Sequence, residues 1–368
     1  MTTVADRPAA TTAGPDGLRP ISHFTEADEA TTTGSHLRLV RQAAAAFREW
    51  FTTSGTPRSV STHDLVTIPY PTRFGLFRAA RTPSPYLSIT NRMLVVRWDE
   101  SGRTRTLLFE PSDVEMGANT PYFAAITARI PSRLEPLLIR RHGTVLEILR
   151  TLAIDPASVD YLVFDHLHTQ DVRRWVGTEH PAPDISPRRP VEPVFPNARL
   201  IVQRAELEAI ADLHPLQRPW YQPEAYTDLR RHAILAIEGD VLVGPGTALL
   251  GTPGHTIGNQ SLVLNTSTGI WASSENVIAP ECLTPEHSRI PGVRAWALEW
   301  GQEVILNANT IEATAEQYNS CVKEKSIVDR SSRDARFLQF LPSSELTANR
   351  LWPLTRPTFT HGGITHSA

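Results

Sequence analysis

Apolar residues recur along the chain with two periods. Between residues 37 and 51 (LRLVRQAAAAFREWF) they fall on one face at helical spacing, which predicts a helix. Tyr86–Trp98 and Thr104–Glu110 read as extended, and Asp99-Glu-Ser-Gly102 between them predicts a hairpin turn. A helix is expected over about 134–153, followed by a short buried strand, Asp160–Asp165 (DYLVFD). Ala198–Gln203 then reads as a strand leading into a helix, Ala205–Asp212. Short apolar runs separated by Gly turns follow: Ala233–Gly239, Val241–Gly246, Ala248–Gly251, Ser261–Asn265 and Gly269–Ser273. They predict closely spaced strands of a sheet-rich region. A last helix at about 309–325 precedes a final strand, Phe337–Leu341. Strands flanked by helices in both halves predict a layered α/β protein with sheet between helices.

Two stretches depart from this pattern. Residues 1–35 are rich in Thr, Ala, Gly and Pro and poor in large apolar side chains, so a disordered tail is expected there, ahead of a single domain over 36–368. His180–Pro196 carries six prolines, which predicts an irregular surface excursion near 180–197.

Composition narrows the chemistry. The chain has 368 residues, two cysteines against 13 histidines, and a formal net charge of −3. Two cysteines exclude a disulfide framework or a cysteine-based metal site, so histidine and carboxylate must hold any metal. Near-neutral charge argues against nucleic acid as a partner. No apolar run approaches the roughly 20 residues of a membrane span. The N-terminus lacks a signal-peptide layout, so the cytoplasm is the expected compartment. The sequence specifies no oligomeric state.

The sharpest local signal is Asp165-His166-Leu167-His168-Thr169-Gln170-Asp171, directly after an apolar strand. Histidines at i and i+2 of a strand end point the same way, and two imidazole nitrogens can then reach one ion. Asp171 lies within reach of the same centre, and Asp165 could orient a histidine through its second nitrogen. An isolated His-x-His is otherwise a pair of loop histidines. A second element changes that balance: Gly251-Thr-Pro-Gly254-His255-Thr256-Ile257-Gly258, a tight Gly- and Pro-built loop presenting one histidine. Trp220-Tyr221 reads as lid or packing, His287, Trp296 and Trp300 as pocket lining or core, and Arg140-Arg141-His142 as the solvated part of a helix.

With HLHTQD and TPGHTIG in place, the sequence resembles the metallo-β-lactamase fold superfamily, whose signatures are HxHxDH and a later Gly-His. FPNARLIVQRAELEAI resembles the strand and helix of its acyl-homoserine-lactone lactonase-like branch, and the resemblance covers about residues 85–345. It implies a four-layer αββα sandwich with one or two divalent metal ions at the sheet edge, zinc foremost, with iron or manganese as alternatives. His166, His168 and His255 fall on the family's first metal site. The family's next Asp-His pair is here Gln170-Asp171, its bridging aspartate falls at or near Glu275, and its last histidine aligns with Ser344. Glu345 is a candidate substitute, and His361 a lesser one. A second site would then be built from Asp171, Glu275 and Glu345, an oxygen-rich set that suits harder ions.

The implied activity is a metal-dependent hydrolase acting on an ester, lactone or related carbonyl of a small molecule, with Asp171 or Glu275 holding the attacking water or accepting its proton. Asn276-Val-Ile-Ala-Pro stands where lactonases of the family carry a tyrosine. Two other classes stay open at the level of sequence: a non-haem iron oxygenase or redox enzyme on the same fold, and a degenerate, metal-free binding protein.

Overall fold

The computed structural model describes residues 17–128, 133, 135–222 and 224–368. The strands in chain order are β1 (Arg19–Ile21), β2 (Ser59–Pro71), β3 (Tyr86–Glu100), β4 (Arg103–Phe109), β5 (Arg140–Arg141), β6 (Tyr161–Val163), β7 (Pro181–Ala182) and β8 (Ser186–Pro190). They continue with β9 (Arg199–Gln203), β10 (Ile234–Ile237), β11 (Asp240–Gly244), β12 (Thr247–Gly251), β13 (Gln260–Thr266), β14 (Gly269–Ser273), β15 (Ser344–Thr347) and β16 (His366–Ser367).

One sheet runs β10-β9-β6-β4-β3-β2-β16, with β5 beside β2 and β15 beside β3. The other runs β1-β11-β12-β13-β14. Alternation along each strand shows how they stack. In β3, Leu94, Val96 and Trp98 enter one apolar cluster with Leu249, Leu262 and Leu264 of the second sheet, whereas Met93 and Val95 enter another that contains Phe47 and Phe51 of the helix Thr33–Thr52. The first cluster is the seam between sheets and the second the seam under the helices, which gives the expected αββα sandwich. Trp98 fits the inter-sheet seam because Gly244 lies beneath it: a Cβ there would meet the indole at 2.5 Å.

Four expectations need correction. The tail expected over 1–35 lies partly outside the described residues, but from Gly17 the chain is built into the fold. Leu18, Ile21, Phe24 and Ala27 are all buried, and β1 pairs with β11. Few apolar residues at regular spacing suffice to anchor the segment. The helix expected over 134–153 is broken: a turn at Glu135–Leu138 gives way to β5, and a new helix, Val145–Thr151, starts at Thr144. Thr144 and Glu147 form a reciprocal capping box, a start signal that the continuous apolar pattern concealed. Phe337–Leu341 makes only isolated bridges, and the last strand of that region is β15. The proline-rich excursion is not wholly irregular, since β7 and β8 pair as a small ribbon. The sequence reading also passed over β2, which pairs with β3 from Pro71↔Tyr86 to Ser59↔Arg97, because its polar start and its prolines blur the alternation.

Topology positions the site. β4 covers the Leu94–Glu100 part of one edge of β3 and β15 the Ser88–Asn91 part. The chain segments leaving β4, β6, β12 and β14, and the one entering β15, therefore carry Glu110, Asp165–His168, His255, Glu275 and Ser343–Ser344 towards one sheet edge.

Candidate metal centre

His166, His168 and His255 are buried, and one ring nitrogen from each lies within 4.8 Å of the others. Hydrogen bonds decide which nitrogens face the centre. His166 Nδ1 donates to Asp165 Oδ1 at 2.5 Å, and His255 Nδ1 donates to the Asn307 carbonyl at 2.8 Å. The third histidine is set from further away. Gln217 Nε2 donates to Glu312 at 2.6 Å, which turns Gln217 Oε1 towards His168 Nε2, also at 2.6 Å. That nitrogen therefore carries the proton and leaves Nδ1 as the acceptor. Two Nε2 atoms and one Nδ1 thus face the centre, each held by a partner on the far side of its ring, the arrangement in which imidazole binds a metal. Burial, and then the neighbouring rings, hold His168 well below the usual imidazole range and His255 at about 3, so both are neutral, as ligands must be. Burial opposes the charging of His166, but Asp165 outweighs it and lifts the ring to about 9; a bound cation would drive that proton off. The donor set fits one divalent ion.

A buried carboxylate braces the loops that carry these rings. Glu206, in the helix Arg204–Ala211, accepts from Leu167 N (2.9 Å), Tyr221 OH (2.7 Å), Thr256 Oγ1 (2.6 Å) and Gly258 N (3.3 Å). It ties the turn between His166 and His168 to the loop after His255. The glycines of that loop permit the approach. A Cβ on Gly258 would stand 2.3 Å from Glu206 Cβ, and one on Gly254 (φ +132°) would stand 2.2 Å from the backbone nitrogen of Gln317. Beneath His166, Asp165 also accepts from Ser343 Oγ at 2.6 Å, and its own N–H donates to Glu110 at 2.6 Å.

The carboxylates expected to form a second site do not converge. Asp171 turns away from the histidines and is saturated by Arg173, whose backbone N–H, Nε and Nη2 approach it at 3.1, 3.1 and 2.7 Å. Tyr226 pins the preceding turn through the Leu167 and Gln170 carbonyls, so Gln170 faces the cavity and Asp171 the opposite side. Glu345 follows the two-residue period of β15: Ser344 lines the cavity, while Glu345 points to the other face and pairs with Arg92. His361 is buried against Trp271 and bonds the Leu338 carbonyl. Among the described residues the only grouping of three or more potential metal ligands is the histidine triad. Glu275 does line the triad's cavity but lies outside the 4.8 Å grouping, held by Asn307 Nδ2 at 3.4 Å and Ser344 Oγ at 3.1 Å. Burial above all pushes its carboxyl up to about 7.

The cavity above the triad is walled by apolar side chains, among them Val66, Ile68, Ile89, Val114, Phe123 and Ile126. Trp220 closes one side, stacked on Tyr122 at 4.1 Å, and Tyr221 packs on the His168 ring at 4.8 Å. Arg141, expected as the solvated part of a helix, instead lies on β5 and lines this cavity. His287, Trp296 and Trp300 do not line it, and Trp300 is 59% exposed. The sequence reading missed Glu206, Gln217 and the pair Asn307/Asn309. Only the last had a signal: an apolar run, Val304–Leu306, ending in Asn-x-Asn, the spacing of His166 and His168.

No family model matches the chain. Part of it is similar to the N-acyl homoserine lactonase of Bacillus thuringiensis, 33% identical over 122 residues, and to that of Bacillus cereus, 32% identical over 122 residues. Each match takes in 33% of this chain and 39% of the relative, so the chain spans about two fifths of the length of the curated proteins it matches. Solved structures similar to it include an N-acyl homoserine lactone hydrolase holding N-hexanoyl-L-homoserine at its catalytic metal centre (21% identity, 67% of this chain and 88% of that one, TM-score 0.44). Another is a probable metal-dependent hydrolase from Staphylococcus aureus (9% identity, 72% and 84%, TM-score 0.48). Over that third of its length the chain is similar to N-acyl homoserine lactonases, and the whole fold is a two-sheet sandwich with a histidine triad at its edge.

Proposed function

We propose that the protein is a metal-dependent hydrolase that opens an ester or lactone bond in a small molecule with an apolar acyl portion, using a single divalent ion, zinc by preference. The observation that carries this reading is the convergence of three buried, outwardly braced imidazoles on the floor of an apolar-walled cavity. Three histidines with a further open position are the ligand pattern of catalytic zinc. An ion held there would acidify a water and polarise a carbonyl.

The chain's own residues supply the rest. Glu275, on the cavity wall with its carboxyl near neutrality, is placed to take up the proton released as water adds. Ser344 and Asn307 hold that carboxylate still. The apolar wall accepts an acyl chain and keeps bulk water from it, while Trp220 and Tyr221 close over the triad side. Among the described residues the oxygen-rich second ligand set that would suit iron does not come together, which favours the hydrolytic reading.

The test is a metal count on the purified protein, followed by hydrolysis assays on N-acyl homoserine lactones, simple γ-lactones and aryl esters of graded chain length. About one transition-metal ion per chain, and turnover lost on chelation and in His166→Ala/His168→Ala, are expected. A protein with no stoichiometric metal, or turnover indifferent to both treatments, overturns the proposal.

A further inference from the structure

Asn309 contributes a contact that the ligand set described above does not use. Its Nδ2 lies 3.3 Å from His168 Nδ1, on the ring edge that faces the centre, and its Oδ1 is buried with no hydrogen-bond partner among the described residues. The residue lines the same cavity as the triad.

The 3.3 Å separation is long for a hydrogen bond, but it matches another geometry. Ligand atoms about 2.0–2.1 Å from a tetrahedral ion stand about 3.3–3.4 Å apart along each edge. The end of the Asn309 amide therefore sits at the spacing of a neighbouring ligand. In the orientation shown, that end is a donor, which suits a free His168 nitrogen. Once that lone pair is given to a cation, the donor has lost its acceptor and the carbonyl oxygen is still unpaired. A half-turn about the last side-chain bond exchanges the two ends at no steric cost, since amide oxygen and nitrogen are nearly the same size. It brings the unpaired oxygen to the position that Nδ2 now holds and breaks no other recorded bond of this side chain.

We propose that Asn309 Oδ1 is a fourth, exchangeable ligand of the histidine triad, a role that rests on the metal reading above. A neutral amide oxygen binds a divalent ion more weakly than imidazole does. It is also the chemical counterpart of a substrate carbonyl, so the arriving substrate can replace like with like. Thr310, next in the chain, accepts from Gln217 at 3.4 Å, so the segment holding the exchangeable ligand also touches the residue that orients His168.

The test uses Co(II) as probe. Metal-free wild type, Asn309→Ala and Asn309→Asp are titrated with Co(II) against a chromophoric chelator, and visible spectra of the loaded forms are recorded. Loss of the ligand should weaken Co(II) binding about tenfold or more and change the band positions or intensities, with the melting temperature of the metal-free form unchanged. Asn309→Asp should keep or tighten binding and, being isosteric, answers the question if the alanine variant misfolds. Wild type and Asn309→Ala with the same affinity and spectrum would overturn the assignment of Asn309 alone. No Co(II) uptake by wild type would instead overturn the metal reading, and this assignment with it.

Discussion

Single side chains divide sharply here between those that face the centre and those that hold others. Asp171 shows the division. Its carboxylate is fully buried against Arg173, itself 3% exposed, so removing it strands a buried cation for which only Asp184 at the surface remains. Asp171→Ala should cost on the order of 3 kcal/mol in chemical denaturation while leaving the metal content at its wild-type value. A metal-depleted but fully stable variant would return Asp171 to the ligand set. Glu206 should behave in the opposite way. Glu206→Gln keeps the volume but presents an amide to backbone and hydroxyl donors from both histidine loops. Metal affinity should fall by about 10–100-fold, the usual range for residues behind a ligand, as read by chelator competition.

At the scale of elements, the loop Gly251–Gly258 shows what glycine does for the site. Gly254 takes φ +132°, and a side chain there would run into the helix Thr314–Ile327. Gly254→Ala should displace His255 and abolish stoichiometric metal binding, measured on protein whose far-UV dichroism is unchanged. Much of this level was legible beforehand. The strand-end His-x-His and the glycine-framed His255 could be read because each depends on local geometry, a period of two and a tight turn. The second ligand set could not, because it turned on which side of the chain Asp171 and Glu345 would face. For Glu345 the pairing register of β15 decided it; for Asp171 a tyrosine some 50 residues on, Tyr226, did. Glu206 and Gln217 were illegible for a related reason. They matter through partners on other loops, and a single sequence carries no trace of those distances.

The whole molecule carries a titration that should be visible without any substrate. Glu324, on the helix Thr314–Ile327, is fully buried against the sheet, accepting from Ser261, Ser274 and Asn276 at 2.6, 2.6 and 3.0 Å, and burial pushes it up to about 7. A carboxyl raised above its unfolded value favours the fold while protonated. Its contribution is therefore complete below about pH 4.5 and is lost as pH rises through 7. Glu324→Gln, neutral at every pH, should match wild type in acid and exceed it at pH 8 by up to about 3 kcal/mol in denaturant titrations. Parallel curves for the two proteins across that window would show that the group does not titrate there.

The order of the strands has a consequence for how the chain is made. One edge of the smaller sheet, β11, is covered by β1, and one edge of the larger, β2, is covered by β5 over Val66–Thr67 and by β16 over Ser59–Val60, some 300 residues after it. Each cover is only two or three residues long, yet an uncovered strand edge is the surface on which chains pair with one another instead of with themselves. A growing chain would present the Ser59–Val60 end of β2 unsealed for some 300 residues of synthesis, until β16 is made. Expression at low temperature, or with a chaperone that shields extended segments, should therefore raise the soluble yield more than any change at the metal centre.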